Sequence, residues 1–233
     1  MLLCCNVLCH HCNADVVPAC VHLCISMTII ISVICLLVYY IYFLILSLII
    51  FNLCLNYREA TDALGWTALH HASFKGNSDC IKILLENGAS IQCKTNENQT
   101  CLHLASEKGH TDVVKILLEK GANTQSKTND EDTCLHLATK QGHIDVVKIL
   151  GQNKWLLREK NRNKNSALGL ATILNHVEVV NCLLDLGAEL EETNRSLFTA
   201  LHIAAENGFF EIAESLIARG ANINNKSGKF FFI

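Results

Sequence analysis

The chain has 233 residues, with 19 Lys and Arg against 22 Asp and Glu, and a net charge of -3. This near balance excludes the basic face on which general nucleic-acid affinity depends, so no nucleic-acid partner is expected. The charge is unevenly distributed, because no charged residue lies between Asp15 and Arg58.

Residues 1–24 form a Cys/His-rich N-terminal tail. Its possible zinc ligands are Cys4, Cys5, Cys9, His10, His11, Cys12, Cys20, His22 and Cys24. Four of these side chains would suffice for zinc, but the spacing lacks the paired C-x2-C motifs that are typical of structural zinc sites. Palmitoylated cysteines are an alternative, and unpaired thiols are the default interpretation. We therefore predict no metal and no cofactor.

Residues 25–55 are a candidate transmembrane helix. The run Met27–Phe51 has 25 residues without a charge. As a helix it would measure about 37 Å, against a hydrocarbon core of roughly 30 Å. Arg58 and Lys75 follow the run and no Lys or Arg precedes it, which favours a single-pass membrane protein with its C-terminal part in the cytosol. The alternative is that this low-complexity segment is not a genuine part of the protein, which would then be cytoplasmic.

After this segment, one hexapeptide pattern recurs every 33 residues. It reads TALHHA at Thr67, TCLHLA at Thr100 and Thr133, SALGLA at Ser166 and TALHIA at Thr199. A Gly follows nine residues after most of these starts, with Asn175 as the exception. A Gly-Ala pair follows after 21 residues, except in the third copy, where Lys154 replaces the Gly. An apolar helical pattern fills each interval, so the period predicts one repeated structural unit.

In period and signature this part resembles the ankyrin repeat. The resemblance implies an all-α solenoid of helix-turn-helix units with hairpin loops, preceded by the candidate transmembrane helix. Five repeats are expected within residues 56–226, at about 62–94, 95–127, 128–160, 161–192 and 193–226. Residues 227–233 then begin a further, truncated hairpin, which suggests a fragment of a longer array.

The recurring letters have physical roles. Thr67 and its equivalents can cap the first helix of a repeat by accepting a backbone N–H. Leu69 and Ala72 would face the neighbouring helix. Gly76 and Gly88 would end the two helices in the left-handed conformation. The recurring His is expected to be a hydrogen-bonded structural residue, because copies about 10 Å apart cannot share a metal.

The junction between the third and fourth repeats is irregular. Gly151 stands where a Leu is expected and Trp155 where an Ala is expected. A local basic cluster consists of Lys154, Arg158, Lys160, Arg162 and Lys164. It could receive an acidic partner, or it could be a solvated loop on a degenerate repeat.

The resemblance implies a non-enzymatic protein-protein interaction module or scaffold. Its partners would be other proteins, bound at the concave face and the hairpin tips. The variable positions there give the candidate protein-binding residues Trp66, Phe74, Lys75, Gln99, Glu107, Lys108, Asp132, Lys140, Gln141, Ile173, Leu174, Phe198, Glu206 and Asn207. The common hydrolase, phosphate-loop and dinucleotide motifs do not occur, so no enzyme is predicted.

An alternative function is a fragment of the cytosolic ankyrin array of a cation channel. The stretch GWTALHHAS at Gly65–Ser73 is similar to one in ankyrin-type transient receptor potential channels. Those channels carry the array before several membrane helices, whereas here the candidate helix comes first.

Overall fold

The computed structural model describes residues 32–46 and 60–226. The candidate zinc ligands of the N-terminal tail and the expected hairpin at 227–233 lie outside these ranges. The chain divides into two compact units, Met1–Tyr57 and Arg58–Ile233. Each unit is described by itself.

In the first unit, residues 32–46 form helix α1. Its side chains are apolar and exposed; Tyr39, for example, is 70% exposed. Neither α1 nor any other helix within 32–46 and 60–226 has the length and apolar character needed to cross a membrane. The candidate transmembrane helix is therefore not found, and the remainder of its predicted span, 25–31 and 47–55, falls outside the described residues.

In the second unit, all regular structure between residues 60 and 226 is helical, as the resemblance implies. Each repeat contributes a first and a second helix, and the third repeat adds a short one. The pairs are α2 (Ala68–Lys75) and α3 (Ser78–Glu86), α4 (Cys101–Lys108) and α5 (Thr111–Glu119), α6 (Cys134–Lys140) and α7 (Ile144–Leu150), then the added α8 (Lys154–Arg158), followed by α9 (Ala167–Ile173) and α10 (Val177–Asp185), and α11 (Ala200–Asn207) and α12 (Phe210–Ala218).

The expected caps are present. The side-chain oxygens of Thr67, Thr133 and Thr199 accept the backbone N–H three residues later, as an N-cap should. Gly76 ends α2 at φ 78°, in the left-handed conformation. Asn175, the exception in the pattern, takes the same conformation at φ 56°. Asn tolerates this conformation better than most residues, which explains why the fourth repeat can do without the Gly.

The core is a continuous stack of leucines and small residues. Leu69, Leu102, Leu135 and Leu168 occupy one position in four repeats and are all 1% exposed or less. An Ala three residues further on, such as Ala105, lets neighbouring first helices approach closely. The first helices pack against one another more extensively than the second helices do. The first-helix side is therefore the concave side of the stack.

The hairpin loops are joined by a second ladder, made by backbone hydrogen bonds. In each loop one N–H donates to a carbonyl oxygen of the preceding loop, at a nearly constant step along the chain. The bonds are Asn96 to Leu64 (3.1 Å), Asn129 to Glu97 (3.1 Å), Arg162 to Asp130 (3.0 Å) and Arg195 to Asn163 (3.1 Å). Loops and helices thus share one 33-residue register.

Candidate functional site

The residue directly before each capping Thr or Ser is held in place by the loop that precedes it. In the first repeat, a carboxylate oxygen of Asp62 accepts the N–H groups of Leu64 and Trp66, both at 2.9 Å. These bonds, the Trp66 N–H first, lower the pKa of Asp62. Thr95, Asn161 and Asn194 accept backbone N–H groups in the same way in later repeats. The side chain before each first helix is therefore presented in a fixed register.

We call the positions just before each first helix and in its last turn, together, the first-helix surface. It comprises the 14 candidate binding residues of the sequence analysis. In the first repeat this surface is aromatic. The rings of Trp66 and Phe74 meet edge to face with their centroids 5.2 Å apart, and Trp66 also lies 5.0 Å from the His71 ring. Trp66 and Phe74 remain half-buried rather than fully covered.

A lysine of the second repeat lies over this aromatic cluster. The Lys108 Nζ is 4.7 Å from the Phe74 ring centroid, within the range of a cation–π contact, and it also pairs with Glu107 at 3.0 Å. Lys75 Nζ lies 5.7 Å from the same centroid. The first two repeats therefore present a mixed aromatic and cationic surface.

Between the second and third repeats the same surface forms an open groove of about 390 Å³. It brings together five of the candidate residues: Gln99, Glu107, Asp132, Lys140 and Gln141. Glu97 and Asp130 also line it. Acidic side chains thus outnumber basic ones in this groove.

Asp132 differs from the other candidates because it is only 2% exposed. One of its carboxylate oxygens accepts from Lys140 Nζ at 2.5 Å, and the other accepts from the Asn161 amide at 3.0 Å. Asp132 therefore fixes Lys140 and the fourth-repeat loop, and it is Lys140 that reaches the groove.

In the last two repeats the surface is largely apolar. Ile173 and Leu174 are 41% and 43% exposed. The Phe198 ring stacks on the His202 ring with centroids 5.8 Å apart. Glu206 and Asn207 are exposed at the end of α11, where the Asn207 amide donates to the Ile203 carbonyl at 2.8 Å. The candidate residues therefore form aromatic, charged and apolar stretches in turn along the array.

The recurring His has the structural role that we predicted. In His70 the Nδ1 accepts the Thr67 N–H at 3.1 Å, and the Nε2 donates to the Cys93 carbonyl at 3.1 Å. His136 repeats this arrangement, with its Nε2 bonded to Asn165. Burial lowers the pKa of His103 and of His136 to about 4. These imidazoles are therefore neutral near pH 7 and join a first helix to a loop.

The sequence analysis missed a second histidine ladder. The Nε2 atoms of His110, His143 and His176 donate to carbonyls at the end of the preceding first helix, at 2.9–3.1 Å. A Cβ on Gly76 would lie 2.6 Å from the His110 ring, so this position requires Gly for space as well as for its φ of 78°. The signal was present in the sequence, because Gly-His or Asn-His recurs at 109–110, 142–143 and 175–176.

The basic cluster of the third and fourth repeats is largely neutralised within the chain. Arg158 pairs with Glu189 at 3.3 Å, Lys160 with Glu192 at 3.6 Å, and Arg162 with Asp130 at 3.1 Å. Lys154 donates to the Leu186 carbonyl at 2.5 Å. These contacts favour the structural interpretation of the cluster over an acidic partner.

On the opposite side of the array, a shallow depression of about 470 Å³ lies between α7 and α10. Ile144, Lys148 and Cys182 are among its lining residues. Burial raises the pKa of the Cys182 thiol. The depression joins no candidate binding residue to another, so it provides a comparison surface rather than the site.

Comparison with known proteins agrees with the repeat geometry. A family model described as "Ankyrin repeats (3 copies)" matches residues 37–128, 88–155 and 152–227. The chain is also 46% identical over 39 residues to "Ankyrin repeat and SOCS box protein 3" of Bos taurus. That match covers 17% of the chain and 7% of the relative's length, so it compares the repeats alone.

Proposed function

Because the chain belongs to the ankyrin-repeat family, whose repeats generally mediate binding to other proteins, we propose that it is a non-enzymatic interaction module or scaffold. Its first-helix surface and hairpin loops receive a partner protein. The 14 candidate residues supply the contacts, with Asp132 acting through Lys140.

The observation that carries this proposal is the aromatic pair Trp66 and Phe74. Both rings are half-buried, and their mutual contact fixes their orientation before any partner arrives. Rigid, partly exposed aromatic side chains are typical of the few residues that dominate a binding interface. Phe198 has a similar position at the far end of the surface, held against His202.

The test is affinity purification with the full chain as bait, followed by affinity measurement on the partner obtained. Trp66→Ala and Phe198→Ala should each weaken binding about thirtyfold, which corresponds to roughly 2 kcal/mol for a dominant contact. The matched control is Lys115→Ala on the second helix α5, where the side chain is half-exposed and points away from the first-helix surface. Loss of the partner with Lys115→Ala and its retention with both aromatic variants would refute the proposed surface.

Membrane tethering through residues 25–55 is a further part of the proposal. It is supported by the uncharged sequence of the segment and by the helical, apolar and exposed residues of α1. The full-length protein should then resist carbonate extraction, whereas a protein that starts at Tyr57 should be released. Release of both proteins would exclude tethering.

The alternative of a channel fragment stays a prediction. Sequence adjoining the chain discriminates between the two functions, because a channel requires several apolar helices after the repeats. A transcript that encodes the repeats followed by such helices would replace the scaffold proposal.

A further inference from the structure

One loop position is left-handed in all five repeats, two residues before each capping Thr or Ser. The residues and φ angles are Gly65 (76°), Asn98 (59°), Glu131 (61°), Lys164 (57°) and Leu197 (61°). Gly and Asn tolerate this conformation, but other residues are strained in it, and a bulky apolar residue is rarely found there. The turn imposes the conformation, so the residue type at Leu197 works against the fold.

Burial does not compensate for this strain. Leu197 is 51% exposed and belongs to neither the core nor the residues packed against it. Strained residues that the fold does not need are concentrated at functional sites. Leu197 was not among the candidate residues, because the sequence alone does not show its backbone conformation.

Leu197 adjoins the apolar stretch of the first-helix surface. In the groove between repeats two and three, Glu107 lies across from Asp132. The equivalent residues two repeats later are Ile173 and Phe198. By this equivalence Ile173, Phe198 and Leu197 line the corresponding groove between repeats four and five.

The groove between repeats two and three has the opposite character. Its carboxylates are Glu97, Glu107, Asp130 and Asp132. Three of these are paired, with Lys108, Arg162 and Lys140. Glu97 has no ion-pair partner between residues 60 and 226, so the groove keeps a negative charge for a cation to meet. It lies two repeats from Leu197, a distance of roughly 20 Å, which about six residues of extended chain would span.

We propose that Leu197, together with Phe198 and Ile173, anchors an apolar side chain of an extended partner segment that also carries a Lys or Arg about six residues away, seated at Glu97. This inference rests on the proposed function and adds the chemistry of the partner and a binding residue to it. The partner is an extended, basic and apolar peptide segment rather than the flat surface of a folded domain.

The strain at Leu197 provides a test that separates binding from folding. Leu197→Asn places at this position the residue that repeat two has at Asn98, so it should raise the melting temperature by about 1–3 °C. Lys164→Asn relieves the same strain one repeat earlier and is the matched control. Both variants should fold at least as well as the wild type.

The binding probe is a set of peptides selected by phage display from random 12-residue sequences against the full chain. A 12-residue peptide spans about 40 Å when extended, enough to reach both grooves. Selected sequences, made with a fluorescent label, are measured by anisotropy against the wild type and the variants. We expect an apolar residue and a Lys or Arg about six positions apart, a loss of affinity of about tenfold or more with Leu197→Asn, and a change under twofold with Lys164→Asn. Glu97→Gln should weaken binding and reduce its dependence on salt.

Three outcomes would overturn the inference. The selected peptides could be acidic, they could bind Leu197→Asn as tightly as the wild type, or no peptide could be enriched. If no peptide is enriched while a full-length partner is still lost with Trp66→Ala and Phe198→Ala, the extended segment is wrong and the proposed function stands. If a partner is insensitive to both aromatic changes, the proposed function itself fails.

Discussion

The junction between repeats two and three differs from the junction between repeats three and four. At the first, the period is intact: Leu118 occupies the expected position and Gly121 ends the second helix at φ 81°. At the second, Gly151 replaces the Leu, α7 ends at Leu150, and α8 is added. The irregular junction nevertheless keeps the hairpin hydrogen bond to the preceding loop, from Arg162 to Asp130 at 3.0 Å.

A compensating residue explains how the irregular junction keeps its register. A Cβ on Gly151 would meet the Leu186 Cδ1 at 2.6 Å, so the Leu186 side chain already occupies the space. The equivalent position in the other repeats is polar: Asn87, Lys120, Asn153 and Arg219. A missing side chain in repeat three is thus replaced by an extra apolar one in repeat four. A solenoid tolerates a degenerate repeat when its neighbour supplies the missing volume.

The largest effect should come from emptying the regular stack. Leu117 is fully buried, and Leu117→Ala should reduce the free energy of unfolding by about 2–5 kcal/mol, because it leaves a cavity. Urea unfolding measures this loss. The control is Gln99→Ala on the first-helix surface, for which the cost should stay under about 0.5 kcal/mol. Equal losses from both variants would contradict the assigned stacking.

Acid should weaken both junctions through their buried histidines, His103 at the regular one and His136 at the irregular one. Burial lowers both pKa values from 6.5 to about 4. Between these pH values the unfolded chain takes up protons that the folded chain does not, so stability is full above about pH 6.5 and falls as the pH drops towards 4. Each His contributes up to roughly 3 kcal/mol to this loss. Urea unfolding from pH 7 to pH 4 measures it, and an unchanged slope in His103→Gln would show that His103 does not contribute.

Restoring a side chain at the irregular junction should destabilise it. Gly151→Ala would bring its Cβ to 2.6 Å from Leu186 and 2.9 Å from the Val147 carbonyl, at an expected cost of about 1–3 kcal/mol. Adding Leu186→Asn, which restores the residue type of the other repeats, should recover part of this loss. Strictly additive effects in the double variant would mean that the two residues do not compensate for each other.

The smallest effect is expected at the ion pairs of the irregular junction. Arg158 and Glu189 are both well exposed, so Arg158→Ala should cost under about 1 kcal/mol, and the loss should shrink with added salt. Thermal unfolding at low and high salt checks this. A larger, salt-independent loss would indicate that Arg158 acts through packing of its stem.

The sequence alone determined the architecture because an interval of 33 residues is visible without any contact. The period placed Thr67 as a cap, Gly76 in the left-handed conformation and Leu69 in the core, and the structure confirms all three. It also indicated the histidine role, because copies one repeat apart cannot share a ligand. These features depend on local backbone chemistry, which short sequence patterns record.

Only the tertiary structure decided which side chains meet between repeats. The burial of Asp132 against Lys140 and Asn161, the fit of Leu186 over Gly151 and the strain at Leu197 all arise from residues or angles that the sequence does not relate to one another. Each requires knowing the space between two stacked units, and that space is set by packing rather than by the period. The sequence therefore determined where every repeat begins, and the packing determined which of its exposed positions are available to a partner.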